Sequence, residues 1–167
     1  DASPYMTYGY GGNLFSVSTT GPGEKWNTAS HAKKRNVCLN AANVVKLYTA
    51  TASSILLSGY YSANSLMEET ITDEDGKQVK TFTDRQGRIV LKRQIGQGDY
   101  IDTYYVYNDL GDLRFVLSPS YQEEADMEKF AYEYRYDKRG RCVWKRLPGC
   151  EYQQLWYDNA DNLMFSQ

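Results

Sequence analysis

The sequence predicts an all-β fold, an antiparallel meander of β-hairpins with an irregular N-terminal arm, and three observations support this prediction. Sixteen of the 167 residues are tyrosines, and tyrosine favours half-buried sheet surfaces. Aromatic and small or charged residues alternate along several stretches, most clearly in FAYEYRY at residues 130–136, which is the pattern of a strand with one buried face. A five-residue turn motif recurs through the second half of the chain.

The turn motif has the form Asp or Asn, two free positions, Gly, then a polar residue. An Asp at the first position of a type I turn accepts a hydrogen bond from the backbone two residues later. The Gly supplies the left-handed conformation that closes a three-residue hairpin loop. The predicted turn pairs are Asp73 with Gly76, Asp84 with Gly87, Asn108 with Gly111, Asp137 with Gly140, and Asp158 with Asp161. Asp replaces Gly in the last copy, and Asp tolerates the left-handed region better than most residues do.

The turns divide the chain from residue 66 onward into nine predicted strands. Their expected limits are 66–72, 78–83, 88–95, 102–108, 112–118, 129–137, 141–147, 151–158 and 162–166. Because hairpins alternate between the two ends of a sheet, the turns at Gly87, Gly111, Gly140 and Asp161 are expected at the same end. The sequence is therefore divided into an irregular arm at 1–35, where loop-forming Gly and Pro residues occur, and a single repeat domain at 36–167 that begins with three further strands at 37–39, 44–49 and 54–61.

Two connections between strands carry more specific expectations. The segment Ser120–Lys129 is predicted to hold a helical turn with Ser120 as its N-cap. Pro148 and Gly149 predict a tight turn that pairs position 147 with position 150. This register would place Trp144 and Trp156 on neighbouring strands.

The three cysteines are interpreted as free thiols. Cys38, Cys142 and Cys150 lack the CxxC spacing of a zinc site, and an odd number argues against a complete disulfide framework. The predicted turn places Cys142 about 17 Å along its strand from Cys150, which excludes a bond between them. All three are expected to be buried or partly buried.

Composition excludes several classes of partner. Lys and Arg total 19 against 21 Asp and Glu, so no strongly basic surface is expected and nucleic acid is not a predicted partner. No run approaches the roughly 18 apolar residues of a membrane span, so membrane insertion is not expected. The sequence starts with Asp1 rather than Met and ends in a strand pattern, so it is interpreted as a piece of a longer protein.

No catalytic, metal or cofactor site is predicted. His31 is the only histidine, and its polar neighbours are typical of a solvated loop, although Ser30 beside it would be the nucleophile of a catalytic alternative. The acidic run Asp73–Asp75 is similar to the start of a calcium loop, but position 84, the twelfth from Asp73, is Asp rather than the required Glu. The sequence thus indicates a protein that is not an enzyme.

The serial turns resemble those of YD-repeat proteins of the Rhs type, in particular the Rhs-repeat proteins of Bacteroidetes. The resemblance rests on TDEDGK at 72–77, TDRQGRIVLK at 83–92, TYYVY at 103–107 and YRYDKRGRC at 134–142, and it covers roughly residues 64–167. It implies a β-ribbon that spirals into a hollow shell in full-length relatives, which are large secreted or surface-associated bacterial proteins. The Asp-Pro self-cleavage motif of that family has no counterpart here, so the resemblance does not imply autoproteolysis or toxin activity.

The predicted function is a non-catalytic structural and interaction module of a secreted or cell-surface protein. It is expected to assemble by strand addition, with neighbouring repeats of the full-length chain, with another protein, or as a homodimer through an exposed sheet edge. The alternative is a carbohydrate-binding module in which Trp26, Trp144 and Trp156 stack on sugar rings. Exposed, coplanar indoles would favour the alternative, and buried indoles would favour the structural role.

Overall fold

The computed structural model describes residues 4–11, 15–51, 54–96 and 98–167, which form an all-β fold. Apart from the four-residue helix α1 (Met127–Phe130) and two 3-10 helices (Ala29–His31 and Pro119–Gln122), the elements in these residues are all strands. The strands are β1 (Thr7–Tyr10), β2 (Ser16–Thr20), β3 (Lys33–Leu39), β4 (Lys46–Ala50), β5 (Ile55–Tyr60), β6 (Met67–Thr72), β7 (Gln78–Thr83), β8 (Ile89–Ile95), β9 (Tyr100–Tyr107), β10 (Leu113–Leu117), β11 (Ala131–Tyr136), β12 (Cys142–Arg146), β13 (Tyr152–Tyr157) and β14 (Leu163–Ser166).

The chain divides into two compact units, one made of residues up to Val45 with Tyr60–Ile101, the other of Lys46–Gly59 with Asp102–Gln167. In the first unit the strand order is β1-β2-β3-β6-β7-β8, and in the second it is β9-β10-β11-β12-β13-β14. Neighbouring strands are antiparallel throughout both orders. Strands β4 and β5 form a separate two-stranded sheet. Each order is an open meander, as the hairpin pattern predicts.

The nine strands predicted from residue 66 onward are confirmed, each within two residues of its expected limits. The turn motif explains this agreement, because a residue in the left-handed region sets where a strand must end. Gly76, Gly87, Gly111 and Gly140 have φ between 75° and 90°. In the hairpins closed by Gly87, Gly111, Gly140 and Asp161, the register shifts by one residue beside the turn, as expected for a three-residue loop followed by a bulge.

Each unit has its own core. In the first unit the hydrophobic residues exposed by 5% or less are Ala32, Val45, Leu66, Phe82, Val90 and Leu91, and in the second they are Tyr104, Val106, Phe115, Leu117 and Ala131. Phe115 lies opposite both Val106 and Glu133, and residues directly opposite each other share a face. The core face of β11 is therefore the face of Ala131, Glu133 and Arg135.

The N-terminal region differs from the predicted irregular arm, because β1 and β2 pair there in an antiparallel hairpin. Gly9, which looks like a loop residue in the sequence, lies inside β1 opposite Ser18. A Cβ atom at Gly9 would come within 2.6 Å of the Ser18 Oγ, so the glycine permits a close approach of side chain to backbone. The predicted boundary at residue 35 falls within β3, and positions 1–3 and 12–14 of the arm lie outside the described residues.

The predicted register of β12 and β13 is wrong by one residue. Trp144 lies opposite Gln154, and Arg146 opposite Tyr152. The predicted tight turn at Pro148 and Gly149 is nevertheless present, since the Cys150 N–H donates to the Leu147 carbonyl at 3.1 Å. The Gly149 N–H donates to the Glu128 carbonyl at 2.8 Å. This tertiary hydrogen bond ties the turn to helix α1, and local sequence gives no sign of it.

The predicted N-cap at Ser120 is also wrong. Helix α1 begins after Asp126, whose Oδ1 accepts hydrogen bonds from the Glu128 and Lys129 N–H groups at 2.9 and 3.1 Å. Asp is as good an N-cap as Ser, whereas Ser120 lies inside the 3-10 helix Pro119–Gln122, whose N-cap is Ser118. The three cysteines are free, as expected, but Cys38 and Cys150 are exposed and only Cys142 is partly buried.

Candidate interaction surfaces

The five predicted turns share one set of hydrogen bonds. In each, the side-chain oxygen Oδ1 of the first residue accepts from the backbone N–H groups two and four residues later, at 2.8–3.0 Å in every case. The N–H of the Gly, or of Asp161 in the last turn, donates to the carbonyl of the first residue at 3.0–3.2 Å. The ten turn residues therefore act as corners of the sheet.

The residue after the glycine completes four of these turns in a way that the sequence reading missed. Its side chain reaches back to the first residue and pairs with the side-chain oxygen or nitrogen that the backbone leaves free. The pairs are Asp84 Oδ2 with Arg88 Nε (2.7 Å), Asp137 Oδ2 with Arg141 Nε (2.8 Å), Asp158 Oδ2 with Asn162 Nδ2 (3.0 Å) and Asn108 Nδ2 with Asp112 Oδ2 (2.9 Å). In the Asn108 turn the first residue donates and the fifth residue accepts, which reverses the direction of the other three pairs. A comparison of the first and fifth positions across the turns would have revealed this pairing in the sequence.

Asp161 combines the role of the missing glycine with an ion pair. Its φ is 67°, in the left-handed region, and its carboxylate lies 2.7 Å from Arg141 Nη1 and 3.0 Å from Arg139 Nη1. Arg141 Nη1 also donates to the Asp158 carbonyl at 3.2 Å. The turns at Gly140 and Asp161 therefore lie at the same end of the sheet, joined by arginine.

Two substitutions at Asp161 separate backbone strain from ion pairing. Asp161→Ala keeps a side chain in the left-handed region and loses both ion pairs, so we expect the free energy of unfolding to fall by about 1 kcal/mol. Asp161→Gly loses the same ion pairs but releases the strain, so we expect a change within about 0.5 kcal/mol of zero. Urea denaturation at pH 7 measures both values, and equal losses in the two variants would contradict this account.

The turn carboxylates predict how stability depends on pH. The hydrogen bond from Arg141 lowers the pKa of Asp137 below its ordinary value of 3.8, and the hydrogen bond from Asn162 does the same for the pKa of Asp158. A carboxyl whose pKa is lower in the folded state stabilises the fold above its unfolded pKa. That contribution is lost as the pH falls below about 4 and through the lowered pKa.

We therefore expect urea midpoints to fall between pH 5 and pH 3, and to fall less in the double variant Asp137→Asn with Asp158→Asn. Asn108 occupies the same turn position naturally, so the amide is a matched replacement for the backbone-bonded oxygen. Equal losses in the wild type and the double variant would show that the turn carboxylates do not cause the acid sensitivity.

Trp144 is half-buried and in contact with its own neighbours. Its ring stacks on Tyr152 with a centroid distance of 5.5 Å and an interplanar angle of 20°. The guanidinium carbon of Arg135, which lies opposite Trp144 on β11, is 4.3 Å from the ring centroid. Protein groups on the two adjacent strands thus occupy positions that a sugar would need, so Trp144 is not an open platform.

The other two tryptophans are more exposed, Trp26 by 52% and Trp156 by 42%. The Trp26 ring meets the His31 ring edge to face at 4.9 Å, in the first unit. Trp156 lies opposite Phe165 in the second unit, with ring centroids 5.3 Å apart. Trp156 also lines a shallow cavity of about 300 Å³ with Glu151, Tyr152, Gln154 and Gln167. Trp144 is not among the residues that line this cavity, so the two indoles of the second unit do not share it.

The tyrosines of β11 point away from the core face of the second unit. Tyr132, Tyr134 and Tyr136 are half-buried, and burial raises the pKa of the Tyr134 and Tyr136 phenols. Tyr132 and Tyr134 line a second shallow cavity, of about 380 Å³, together with Thr103, Val116, Ser118 and Pro119. These three tyrosines thus cover part of the second face of the sheet.

Strand β14 presents a free edge. Among the described residues, its only neighbour in the strand order is β13, and Leu163, Met164 and Phe165 are exposed by 53%, 68% and 56%. Gln154 and Gln167 exchange both backbone hydrogen bonds, at 2.9 and 3.1 Å. Since hydrogen-bonded pairs alternate along antiparallel strands, Phe165 bonds inward to β13, while the N–H and C=O groups of Met164 and Ser166 point outward.

His31, the histidine considered for catalysis, lies close to Thr28 and Ser30. His31 Nδ1 lies 2.9 Å from Thr28 Oγ1 and 3.3 Å from Ser30 Oγ, a local cluster on one short 3-10 helix. Within the described ranges, no group of three or more His, Cys, Asp or Glu residues could hold a metal ion. None of the helices in these ranges is long and apolar enough to cross a membrane.

Comparison with known proteins adds no identification. No protein-family model matches the chain, and no curated protein matches it. The function must therefore be argued from the described surfaces alone.

Proposed function

We propose that this chain is a non-catalytic structural and interaction module, a YD-repeat segment of a secreted or cell-surface bacterial protein, and that it assembles by strand addition. The observation that carries the proposal is the free edge of β14, whose outward backbone groups at Met164 and Ser166 lack a strand neighbour among the described residues. The five turns with identical hydrogen bonds support the repeat part of the proposal, because each closes a hairpin in the same way.

An edge of this kind recruits extended peptide through its main chain. The donors and acceptors of Met164 and Ser166 are spaced to bond with alternate residues of an incoming strand. Exposed apolar side chains on both faces of β14 then pack against those of the newcomer. The newcomer is a strand of a neighbouring repeat, of another protein or of a second copy of this chain. Added repeats would extend a shell of the type that the resemblance implies.

A peptide with the sequence of residues 77–84, which contains β7, tests the proposal, because strand addition depends on the main chain more than on sequence. Fluorescence anisotropy of the labelled peptide should show saturable binding to the protein. Ser166→Pro removes an outward N–H without breaking a bond to β13, and proline is tolerated at such edge positions. We expect this variant to weaken binding by about tenfold or more.

Ser166→Ala is the matched control, because it removes the same hydroxyl and keeps the N–H. Its affinity for the peptide should stay within about twofold of the wild type. The absence of peptide binding, or equal binding by Ser166→Pro and the wild type, would rule out strand addition at β14.

The alternative function, carbohydrate binding, is favoured by one feature, the cavity beside Trp156. Two exposed rings, Tyr152 and Trp156, stand on either side of Gln154 on one face of β13, and Glu151 and Gln167 supply further polar groups. Aromatic faces and planar amides can bind the apolar and hydroxyl sides of a sugar. Titration with cellohexaose and maltohexaose should then quench tryptophan fluorescence in the wild type and in Trp26→Ala, but not in Trp156→Ala.

A further inference from the structure

We propose that the β14 edge binds a second copy of this chain, through antiparallel pairing of two β14 strands about a two-fold axis at Phe165. This inference rests on the strand-addition function proposed above and adds both the partner and the register. It follows from three properties of β14: the spacing of its outward backbone groups, the face on which Phe165 lies, and the absence of lysine, proline or charged side chains along it.

The outward groups define a self-complementary register. Met164 and Ser166 are two positions apart, and each carries an outward N–H and C=O. A two-fold axis through Phe165 places Met164 of one protomer opposite Ser166 of its partner, and Ser166 opposite Met164. Each of these two pairs can exchange two backbone hydrogen bonds. No other two-fold register uses the outward groups of both residues in such pairs.

The same register brings the Phe165 side chains together. Phe165 bonds inward to β13, so across the two-fold axis it would form a non-hydrogen-bonded pair, in which opposing side chains are closest. Phe165 already lies 5.3 Å from Trp156, and both rings are exposed by more than 40%. The dimer therefore aligns four aromatic rings in a row, Trp156 and Phe165 of one protomer followed by Phe165 and Trp156 of its partner.

The edge carries none of the side chains that normally prevent such pairing. Protected edges carry lysine, proline or inward-pointing charges, whereas residues 163–167 are Leu, Met, Phe, Ser and Gln. The whole chain has a formal net charge of only -2 at pH 7, so repulsion between copies is weak. An isologous contact closes after two copies, which gives a discrete dimer rather than a fibre.

The strand is short, so the dimer should be weak and should depend on concentration. Four intermolecular backbone hydrogen bonds and one aromatic row make a small interface, for which a Kd on the order of 10–100 μM is expected. Sedimentation velocity of the wild type between 5 and 500 μM should show a shift from monomer to dimer. Ser166→Pro should raise the Kd by about tenfold or more, and Ser166→Ala should leave it within about twofold.

Disulfide trapping tests the register itself. The background carries Cys38→Ser, Cys142→Ser and Cys150→Ser, and its fold is checked by circular dichroism. In this background, oxidised glutathione should oxidise Phe165→Cys to a disulfide-linked dimer of two protein chains. A non-hydrogen-bonded pair places the two Cα atoms about 4.5 Å apart, within disulfide range. Met164→Cys is the control, because its side chain faces the opposite side of the sheet and lies opposite position 166 of the partner.

The outcomes separate this inference from the proposed function. If Met164→Cys forms the disulfide and Phe165→Cys does not, the register is wrong and strand addition stands. Species larger than a dimer would overturn the two-fold arrangement and indicate head-to-tail pairing. A wild-type chain that stays monomeric at 500 μM yet binds the β7 peptide would refute the self-partner alone, and a monomer that binds no peptide would refute both.

Discussion

Replacing Asn40 by leucine is expected to lower the free energy of unfolding by about 3 kcal/mol, although the two side chains have the same number of non-hydrogen atoms. Asn40 is 1% exposed. Its Oδ1 accepts from the Leu66 N–H at 2.7 Å, and its Nδ2 donates to the carbonyls of Ser62 and Ala41 at 2.9 and 3.0 Å. Leucine leaves the buried Leu66 N–H without an acceptor, which costs about 1–3 kcal/mol, and it also removes the hydrogen bonds to the Ser62 and Ala41 carbonyls, each of which contributes about 1 kcal/mol.

The position of Asn40 explains why replacing this one side chain is expected to lower the free energy of unfolding so strongly. Its backbone also bonds twice, since its N–H donates to the Leu66 carbonyl and its C=O accepts from the Asn64 N–H. These bonds join the end of β3 to the start of β6, across the 25 intervening residues that include β4 and β5. Asn40 therefore holds together the two ends of the segment 41–65 and aligns β3 with β6.

Chemical denaturation of Asn40→Leu at pH 7 measures the predicted loss. Asn36→Leu is the matched control on β3, the strand that ends just before Asn40. Asn36 is exposed, so its replacement should change the free energy of unfolding by no more than about 0.5 kcal/mol. Similar losses in the two variants would mean that leucine disturbs β3 generally and that the hydrogen bonds of Asn40 contribute little.

Removing the buried carboxylate of Glu133 is the second large effect, with an expected loss of about 3 kcal/mol for Glu133→Ala. The Glu133 side chain is 4% exposed, and its oxygens lie 3.0 Å from Arg135 and 3.3 Å from Arg146. The Arg146 side chain is only 19% exposed, so its charge would lose its nearest partner in a largely dry environment. Breaking one side of a buried ion pair typically costs about 3–5 kcal/mol, and the half-exposed Arg135 puts the estimate at the low end.

A double substitution checks that the unpaired charge is the cause. Glu133→Leu with Arg146→Met replaces both ions with apolar groups of similar size, and such replacements are often neutral. Urea denaturation should show the double variant recovering at least half of the loss seen in Glu133→Ala. If the double variant is less stable than the single one, the cost comes from lost packing rather than from the stranded arginine.

The sequence was sufficient to predict the meander because its turn chemistry is local. Asp137, Gly140 and Arg141 are close in sequence and bond to one another. The turn can therefore be recognised from these residues without knowledge of the neighbouring strands. The strand limits on both sides follow from that corner.

The features that sequence reading missed depend on contacts between distant residues. Gly9 looks like a loop residue until Ser18 is placed opposite it, and nothing in the sequence near Gly149 indicates that its N–H bonds to the Glu128 carbonyl. The exposure of a tryptophan is of the same kind. Trp144 and Trp156 have similar surroundings in sequence, yet Arg135 and Tyr152 pack on the first, and the second borders a cavity.

The shared hydrogen-bond pattern of the turns has a consequence for how such a chain can evolve. Every bond that shapes a corner, from the Asp84 carboxylate to the Arg88 guanidinium for example, begins and ends within five consecutive residues. A duplicated gene segment that encodes one hairpin would thus bring a complete corner with it. The strand sequences of the new copy can then diverge. Sequence similarity between copies should therefore persist longer in the turns than in the strands.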